Sequence, residues 1–428
     1  MKTVLYAVRT EDSWQWHISL DFRVDRRFWP QRLGAPVNLL WFEPQLSFGQ
    51  ALQLKIALDA RDWKRFTARQ AAESAVAQGH FHRLPEPVRR ELAWNAAEFH
   101  AAPSFEEGDG VDGAELERLL ARLAGRMLGP EELQSLLGKS EAHPDNAQSC
   151  NTQTGHAQIG DVGAKDAVWK RYIQYAYLQG RLQWVNGVIS RPKRMFGLIA
   201  TGSEHRCSRC GSGRLHWTDC SNCGRLCPYC EDCLTMGRVR YCTPLVYSID
   251  RPERRPAREF GRNTAPGPPS AERILERWSL SPAQREASAA GIRFLSSAAD
   301  PKMKRGETVA GGFLIWAVTG AGKTEMIFPL IDFELERGGL VCVATPRRDV
   351  VLELKPRIEK VFPDRSVVTL YGGSEQRWEQ GEVTIATTHQ LLRFRHRFDL
   401  VIIDELDAFP YHNNPMLEYA AARACKPE

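Results

Sequence analysis

The sequence at residues 312–326 is GFLIWAVTGAGKTEM, an apolar run followed by a glycine-rich loop and the start of a helix. We predict a buried strand over 312–318, because a continuous apolar run of this length is typical of a parallel sheet. The loop has the pattern of a phosphate-binding P-loop, in which glycines let backbone N–H groups turn toward phosphate oxygens. The residues predicted to hold a nucleotide here are Thr319, Gly320, Ala321, Gly322, Lys323, Thr324 and Glu325.

Two of these side chains have specific predicted roles with ATP and Mg²⁺. Lys323 would reach the β- and γ-phosphates, and the hydroxyl of Thr324 would ligate Mg²⁺. Upstream, Gln284 stands near the start of a predicted helix. Two interpretations of Gln284 stay open: it recognises the adenine ring, or it is plain helix surface.

A second apolar run, FDLVII at 398–403, ends in the acidic stretch Asp404-Glu405-Leu406-Asp407. Acidic side chains at the end of such a strand hold the Mg²⁺ of a bound nucleotide. We predict that Asp404 binds Mg²⁺ through water and that Glu405 orients or deprotonates the attacking water. Asp407 would couple this site to neighbouring motifs.

Two further apolar runs, 340–345 and 383–386, also end in polar residues. The carboxyl ends of parallel strands meet at one edge of a sheet, where ligands usually bind. Charged and hydroxyl side chains at this edge could hold a DNA backbone. The residues predicted to do so are Pro346, Arg347, Arg348, Thr388, His389 and Gln390.

The alternation of helices and apolar strands predicts an α/β fold for the C-terminal part, with a parallel sheet flanked by helices. A cysteine-rich zinc module and an N-terminal α+β region would precede it. The predicted boundaries are an N-terminal region of unknown function at 1–137, a linker at 138–164, a helical and basic connector at 165–204, the zinc module at 205–245, a linker at 246–270 and the P-loop domain at 271–428.

The N-terminal region carries many tryptophans without a common spacing, so we expect them to form core and not a surface for stacked bases. Trp14–Ile18 alternates and predicts a strand. A helix is predicted over 112–137, with Asp112 as its N-cap, and an amphipathic segment over 168–185. The basic stretch Arg191–Arg194 is either solvated surface or a phosphate contact.

Eight of the eleven cysteines lie between Cys207 and Cys242. In a reducing cytosol such spacing is more typical of zinc than of disulfides. Two Cys-x-x-Cys knuckles make one tetrahedral site, so eight cysteines could make two. The pairing is open: either Cys207, Cys210, Cys220 and Cys223 form a simple ribbon, or an inner site is nested inside an outer one. The predicted metal ligands are Cys207, Cys210, Cys220, Cys223, Cys227, Cys230, Cys233 and Cys242, with Thr324 and Asp404 for Mg²⁺.

The 428 residues carry a net charge of only +5, so any surface for DNA must be local. No apolar run is long enough for a membrane helix, and the N-terminus soon meets charged residues, unlike a signal peptide. We expect a cytoplasmic protein.

Residues 229–238, YCEDCLTMGR, and residues 404–411, DELDAFPY, resemble the corresponding motifs of the ComFA family of competence helicases. The resemblance covers about 200–420. It implies a RecA-like, superfamily 2 ATPase that binds single-stranded DNA and helps move transforming DNA inward, related to the primosome helicase PriA. It also implies an outer zinc site of Cys207, Cys210, Cys230 and Cys233, with the other four cysteines free for a second zinc nested inside. Its partners would be competence DNA-uptake proteins at the inner face of the membrane.

The family pattern also includes a Ser-Ala-Thr motif and a second lobe with an arginine finger, whereas this sequence ends at Glu428. Without that arginine, ATP hydrolysis should be slower by roughly 10³-fold or more. We therefore expect a truncated or split reading frame that binds ATP, with a separate chain supplying the second lobe. Two alternatives stay open: a replication-restart helicase of the PriA type, and a non-catalytic zinc-ribbon DNA-binding protein with a vestigial nucleotide lobe.

Overall fold

The structure of the chain is a computed structural model. It describes residues 1–11, 13–78, 80–100, 111–138, 160–195, 198–249, 270–298, 311–318 and 320–427. The chain divides into two compact units, Met1–Leu123 with Met127–Asp250, and Ala124–Arg126 with Arg251–Glu428. Among the described helices, none is both long and apolar enough to cross a membrane.

The first unit is a mixture of short helices and antiparallel strands. Its strands are β1 (Lys2–Thr10), β2 (Ser13–Ser19), β3 (Val37–Glu43), β4 (Leu46–Ser47), β5 (Ala93–Phe99), β6 (Met127–Leu128), β7 (Leu182–Asn186), β8 (Val188–Met195), β9 (Leu198–Cys207), β10 (Leu215–Cys220), β11 (Arg225–Cys230) and β12 (Pro244–Ser248). Its helices are α1 (Phe22–Leu33), α2 (Phe48–Asp59), α3 (Ala68–Gln78), α4 (Glu86–Arg90), α5 (Gly113–Leu123), α6 (Pro130–Gly138) and α7 (Gly160–Leu178).

The N-terminal sheet has the strand order β2-β1-β3-β5, and neighbouring strands are antiparallel. The predicted strand at Trp14–Ile18 is confirmed as part of β2. Alternate side chains of β2 point into the core, so Trp14 and Trp16 are buried together with Trp29 and Trp63. The tryptophans therefore serve as core at these four positions, as expected.

A buried carboxyl group lies beneath this sheet. Asp25 of α1 accepts hydrogen bonds from the Tyr6 hydroxyl at 2.5 Å, from the Ser19 hydroxyl and from the Gln174 amide of α7 at 2.8 Å. Burial raises the pKa of Asp25 to about 7, although the three donors oppose the rise. The network joins α7 to the N-terminal sheet.

The single helix predicted over 112–137 is wrong, because the structure has two helices there, α5 and α6. Asp112 caps α5 as predicted, accepting from the N–H of Ala114 at 2.7 Å and of Glu115 at 3.0 Å. Gly125 follows α5 with a φ of +70°, a left-handed conformation that ends a helix. The apolar face continues into β6, which explains why the pattern resembled one long helix.

The cysteine-rich part is built from hairpins. β8 pairs with β9 and β10 pairs with β11, while β12 lies between β6 and β7. The amphipathic segment predicted over 168–185 is divided, since α7 ends at Leu178 and Val185 lies in β7. Arg191–Arg194 belongs to β8, and its side chains lie outside the described residues, as do Cys150 and most of the two predicted linkers.

The second unit is an α/β domain, as predicted. Its helices are α8 (Ala271–Glu276), α9 (Pro282–Ala298), α10 (Lys323–Glu336), α11 (Arg348–Val361) and α12 (Pro415–Ala424), and its strands are β13 (Val341–Thr345), β14 (Val367–Leu370), β15 (Val383–Thr387) and β16 (Leu400–Ile403). The sheet order is β14-β15-β13-β16, and every pairing is parallel. Apolar side chains of α10 and α11 cover one face of this sheet.

The strand predicted at 312–318 is wrong. In the described part of the second unit this segment pairs with no strand, and Leu314, Trp316 and Val318 are 61%, 89% and 73% exposed. An apolar run forms a strand only where a neighbouring strand supplies hydrogen bonds. Among the described strands, the edge strand β16 pairs with β13 alone, and its four residues are only partly buried.

Candidate functional site

The eight clustered cysteines form two sets of four buried thiols. The first set is Cys207, Cys210, Cys230 and Cys233, and the second is Cys220, Cys223, Cys227 and Cys242. Within each set all sulfur atoms lie within 4.8 Å of one another. The structure thus brings together the outer set that the family resemblance implied, and it does not assemble the simple ribbon. The sets are interleaved along the chain and not nested, because Cys242 follows Cys233.

Both sets fit a zinc ion. Tetrahedral Zn²⁺ with Zn–S bonds of about 2.3 Å places its sulfurs about 3.8 Å apart. The measured Sγ–Sγ distances are 3.8 Å for Cys207–Cys233, 3.4 Å for Cys210–Cys230, 3.7 Å for Cys220–Cys242 and 3.9 Å for Cys227–Cys242. These are far longer than a disulfide bond of about 2.05 Å. Each set could therefore hold one zinc ion.

Thiols in both sets have a lowered pKa: Cys207 and Cys230 in the first set and Cys227 in the second. Hydrogen bonds from Cys210, then from the other two thiols of its set, lower the pKa of Cys207. Those from Cys223 and Cys242 lower the pKa of Cys227. The thiolate is the form that binds metal, so each set offers a first ligand without needing a basic neighbour.

Residues outside the cysteine pattern hold the first set in place. Arg209, inside the first knuckle, is buried and pairs with Glu132 of α6 at 2.9 Å. Its guanidinium also donates to the carbonyl of Met236 at 2.6 Å. The sequence gave no reason to single out Arg209, because an arginine inside a knuckle is usually exposed.

The second set is hydrogen-bonded to the beginning of α2. The Cys223 thiol donates to the hydroxyl of Ser47 at 3.4 Å, and the Gln50 amide donates to the Cys223 carbonyl at 2.9 Å. Ser47 and Gln50 also form the capping box of α2. The Tyr241 hydroxyl donates to the carbonyl of Gly49 at 2.7 Å. The Ser-x-x-Gln pattern marks a helix start in the sequence, but nothing there links it to a cysteine 173 residues away.

The glycine-rich loop has the backbone geometry that a phosphate site needs. Gly320 and Gly322 have φ values of +81° and +75°, which favour glycine. Gly322 is the N-cap of α10, and no side chain caps the helix, so its first N–H groups are available to an anion. Lys323 is exposed at this end, and Thr324 is half-buried. Thr319 lies outside the described residues.

Gln284 lies against this loop. Its amide donates to the Ala321 carbonyl at 2.9 Å, and its backbone N–H is capped by Ser281. Gln284 therefore contacts the glycine-rich loop, and its recognition of the adenine ring stays a prediction. The side chain of Glu325 pairs with Arg357 of α11 at 2.9 Å, and its predicted contact with nucleotide stays a prediction.

The acidic residues follow β16 at the carboxyl edge of the sheet. The Asp404 N–H continues the ladder by donating to the Ala344 carbonyl at 2.8 Å. Glu405 has a φ of +55°, a strained conformation for a residue with a side chain, and its Oε2 atom is buried without a hydrogen-bond partner. Such an orphaned carboxylate oxygen fits a role toward a metal-bound water. Asp407 is exposed.

Helix α10 begins directly after the glycine-rich loop, so its direction decides on which side of the sheet the loop lies. It leads into β13 through only four residues, 337–340, and packs against the same sheet. A helix joined so closely to a parallel strand runs opposite to it, so α10 begins on the side where the strands end. The topology therefore directs Lys323 and Asp404 toward the same side of one domain.

The residues predicted to contact DNA differ in accessibility. Arg347 and Arg348 are exposed after β13; Arg347 pairs with Asp349, and Arg348 lies 4.6 Å from the centre of the Tyr371 ring. Thr388, Gln390 and Pro346 are buried. His389 is half-buried, and burial lowers its pKa, which keeps it neutral at pH 7.

Comparison with known proteins gives two family matches. Residues 170–247 match the Competence protein ComFA N-terminal domain, and residues 277–422 match the Type III restriction enzyme, res subunit, a helicase domain with a RecA-like α/β fold. No solved structure matches the chain.

Two curated relatives are competence proteins. The chain is 38% identical over 226 residues to competence protein ComFA of Bacillus subtilis (strain 168), covering 52% of this chain and 43% of the relative. It is 39% identical over 198 residues to competence protein ComFA of Streptococcus pneumoniae (strain ATCC BAA-255 / R6), covering 46% and 39%. The matched region spans less than half the length of these relatives. The chain is thus similar to the ComFA family, and its residues 277–422 are similar to a helicase domain.

Proposed function

We propose that this chain carries the ATP-binding lobe of a DNA translocase that acts on single-stranded DNA during uptake of transforming DNA. The observation that supports this most is the uncapped start of α10 at Lys323, behind two left-handed glycines, in the same domain as Asp404 and Glu405. The helicase-domain match and the competence relatives support the same proposal.

ATP and Mg²⁺ would be held by residues already in place. The N–H groups at the start of α10 and the Lys323 ammonium would bind phosphate oxygens, and Thr324 and Asp404 would hold Mg²⁺, Asp404 through water. Glu405 would accept a proton from, or orient, the water that attacks the γ-phosphate. Rapid hydrolysis would require an arginine from a second lobe, which we propose a separate chain or chain segment supplies.

Single-stranded DNA would cross the carboxyl edge of the sheet. Arg347 and Arg348 stand exposed there, and guanidinium groups bind phosphate oxygens well. The partners proposed for this lobe are competence DNA-uptake proteins at the inner face of the membrane. The protein would then be cytoplasmic and lie beside the DNA-uptake channel.

The test measures ATP and DNA binding together. The full chain should bind a fluorescent ATP analogue with Mg²⁺, and it should bind a fluorescein-labelled oligothymidine in an anisotropy assay. In the double variant Arg347→Ala/Arg348→Ala, DNA affinity should fall at least about tenfold, and the salt slope should fall by about 1.4 because two phosphate contacts are lost. ATP affinity should not change.

The matched control is Lys355→Ala/Lys360→Ala, which removes the same charge from the middle and the C-terminal end of α11. It should bind DNA like the wild type. Equal losses in both double variants would show a nonspecific charge effect, and a wild-type chain that binds neither ligand would refute the proposal.

One observation favours a second function. Because the segment 312–318 lies outside the sheet, the chain could be a zinc-dependent DNA-binding protein whose nucleotide lobe is inactive. DNA binding that survives Lys323→Ala and that nucleotide does not alter, but that disappears on zinc chelation, would support this alternative. A preference for forked DNA over plain single strands would instead support the PriA-type helicase.

A further inference from the structure

Three residues from the middle of the first unit's sequence belong to the helicase domain. Ala124–Arg126 groups with Arg251–Glu428, while the residues before and after it belong to the first unit. This segment lies outside both matched regions, 170–247 and 277–422. The domain is therefore built from two separate parts of the chain.

The backbone of the inserted segment joins the domain like a short strand. Arg126 forms an antiparallel bridge with Phe394, and the Arg395 N–H donates to the Gly125 carbonyl at 2.9 Å. Gly125 has a φ of +70°, and a Cβ atom there would lie 2.6 Å from Cβ of Arg397. Both the conformation and the contact require glycine at this position.

The side chain of Arg126 connects two loops of the domain. It is 1% exposed. Its guanidinium donates to the Arg377 carbonyl at 2.7 Å and to the Glu379 carbonyl at 3.0 Å, and it lies 5.5 Å from the ring of Trp378 and 5.3 Å from that of Phe394. The first loop precedes β15 and the second follows it, so one side chain fixes both connections of this strand.

Two other arginines complete the arrangement. Arg397 donates to the Ala124 carbonyl at 2.8 Å. Arg423 of α12 donates to the carbonyls of Leu392 at 2.8 Å and Phe394 at 3.2 Å. The 3₁₀ turn Thr388–Arg393, which carries His389, is thus held at its C-terminal end by buried guanidinium groups.

We propose that Arg126 is a positioning residue for DNA binding. It ties Phe394, the residue directly after the turn Thr388–Arg393, to the loop at 377–379. The turn restrained in this way would present His389 and its backbone to single-stranded DNA. The inference rests on the proposed DNA-binding function, but the restraint on the turn can be measured without DNA.

The experiment uses the full chain with Arg126→Ala and Arg126→Lys. Lysine keeps a positive charge between the two rings but cannot donate to two carbonyls in the fixed fork of a guanidinium. Hydrogen exchange of residues 375–394 should become about tenfold faster in Arg126→Ala, because the two carbonyls lose their donor, while α10 exchanges as in the wild type. Affinity for oligothymidine should fall about tenfold at a temperature where the variant is fully folded, while affinity for the ATP analogue stays within twofold of the wild type.

Arg126→Lys should give intermediate exchange and affinity, and it replaces Arg126→Ala if that variant does not fold. The matched control is Arg118→Ala, which removes an exposed arginine from α5 and should resemble the wild type. Unchanged exchange at 375–394, or DNA and ATP affinities that fall together, would overturn the proposal. Faster exchange in a chain whose wild type binds no DNA would refute the proposed function but keep the restraint on the turn.

Discussion

The cysteine sets of the first unit are enclosed, whereas the segment before the glycine-rich loop in the second unit is open. All eight clustered cysteines are buried. By contrast, Leu314, Trp316 and Val318 are large apolar residues that lie mostly in solvent. Both regions have sequence patterns that predict a buried structure, and only the cysteine region has one.

The two regions differ in the groups that complete their structure. A zinc site is completed by a few thiols from neighbouring hairpins, and the structure supplies four for each site. A strand inside a sheet is completed by a ladder of hydrogen bonds from another strand. Among the described residues, the segment 312–318 has no such ladder.

The largest effect should come from losing metal in the first unit. Structural zinc contributes about 10–16 kcal/mol of folding free energy at neutral pH, which is comparable to or larger than the whole stability of a typical domain. We expect two zinc ions per chain by elemental analysis, and a strong chelator should unfold the first unit, as seen by loss of its near-ultraviolet circular dichroism.

The variant Cys227→Ser tests the contribution of the second cysteine set to zinc binding. It should reduce the metal content from two ions to one, whereas Cys425→Ser, outside both sets, should leave two. A chain that keeps two zinc ions after Cys227→Ser would show that the sets are not paired as the structure has them.

Removing the Arg209 side chain should cause a smaller loss in the free energy of unfolding. Its ion pair with Glu132 is almost fully buried, and removing one partner of such a pair typically costs about 3–5 kcal/mol. Urea unfolding of Arg209→Ala should show a loss of this size. Arg214→Ala removes an exposed arginine that pairs with Asp232, and it should cost less than about 1 kcal/mol. Equal losses in the two variants would mean that the first set does not depend on its buried surroundings.

The features predicted from the sequence also differ from the missed ones in where their partners come from. The parallel sheet, the capped start of α5 and the glycine conformations around Lys323 depend on local patterns and were predicted. The roles of Arg126, Arg209 and Ser47 were not, because each depends on a contact far away in the sequence. Arg126, for example, meets a carbonyl 251 residues away, and no local pattern marks such a residue.

A more moderate effect should be seen in nucleotide binding. Lys323→Ala removes a charged donor to phosphate, which is worth about 1.5–3 kcal/mol, or roughly 10- to 150-fold in affinity. Equilibrium binding of a fluorescent ATP analogue measures this loss. Lys360→Ala, an exposed lysine of α11, is the control. If both variants bind ATP equally, the open segment has left the loop without a working phosphate site.

The smallest effect should come from Trp316. Because its side chain is 89% exposed, Trp316→Ser should change the free energy of unfolding by no more than about 0.5 kcal/mol. The matched variant Trp378→Ser replaces a buried tryptophan of the same unit and should cost about 3–5 kcal/mol. Urea unfolding of both variants gives the comparison directly.

A large loss of stability in Trp316→Ser would weaken the second of the two proposed functions. A small loss means that the segment before the loop is free of the sheet, so Lys323 is fixed by α10 alone, and a phosphate site there depends on the helix start. A loss of about 3 kcal/mol or more would mean that 312–318 packs as a strand in solution. The glycine-rich loop would then be anchored by a strand on one side and by α10 on the other, as an ATP-driven motor requires. The hypothesis of an inactive nucleotide lobe would lose the one observation that supports it.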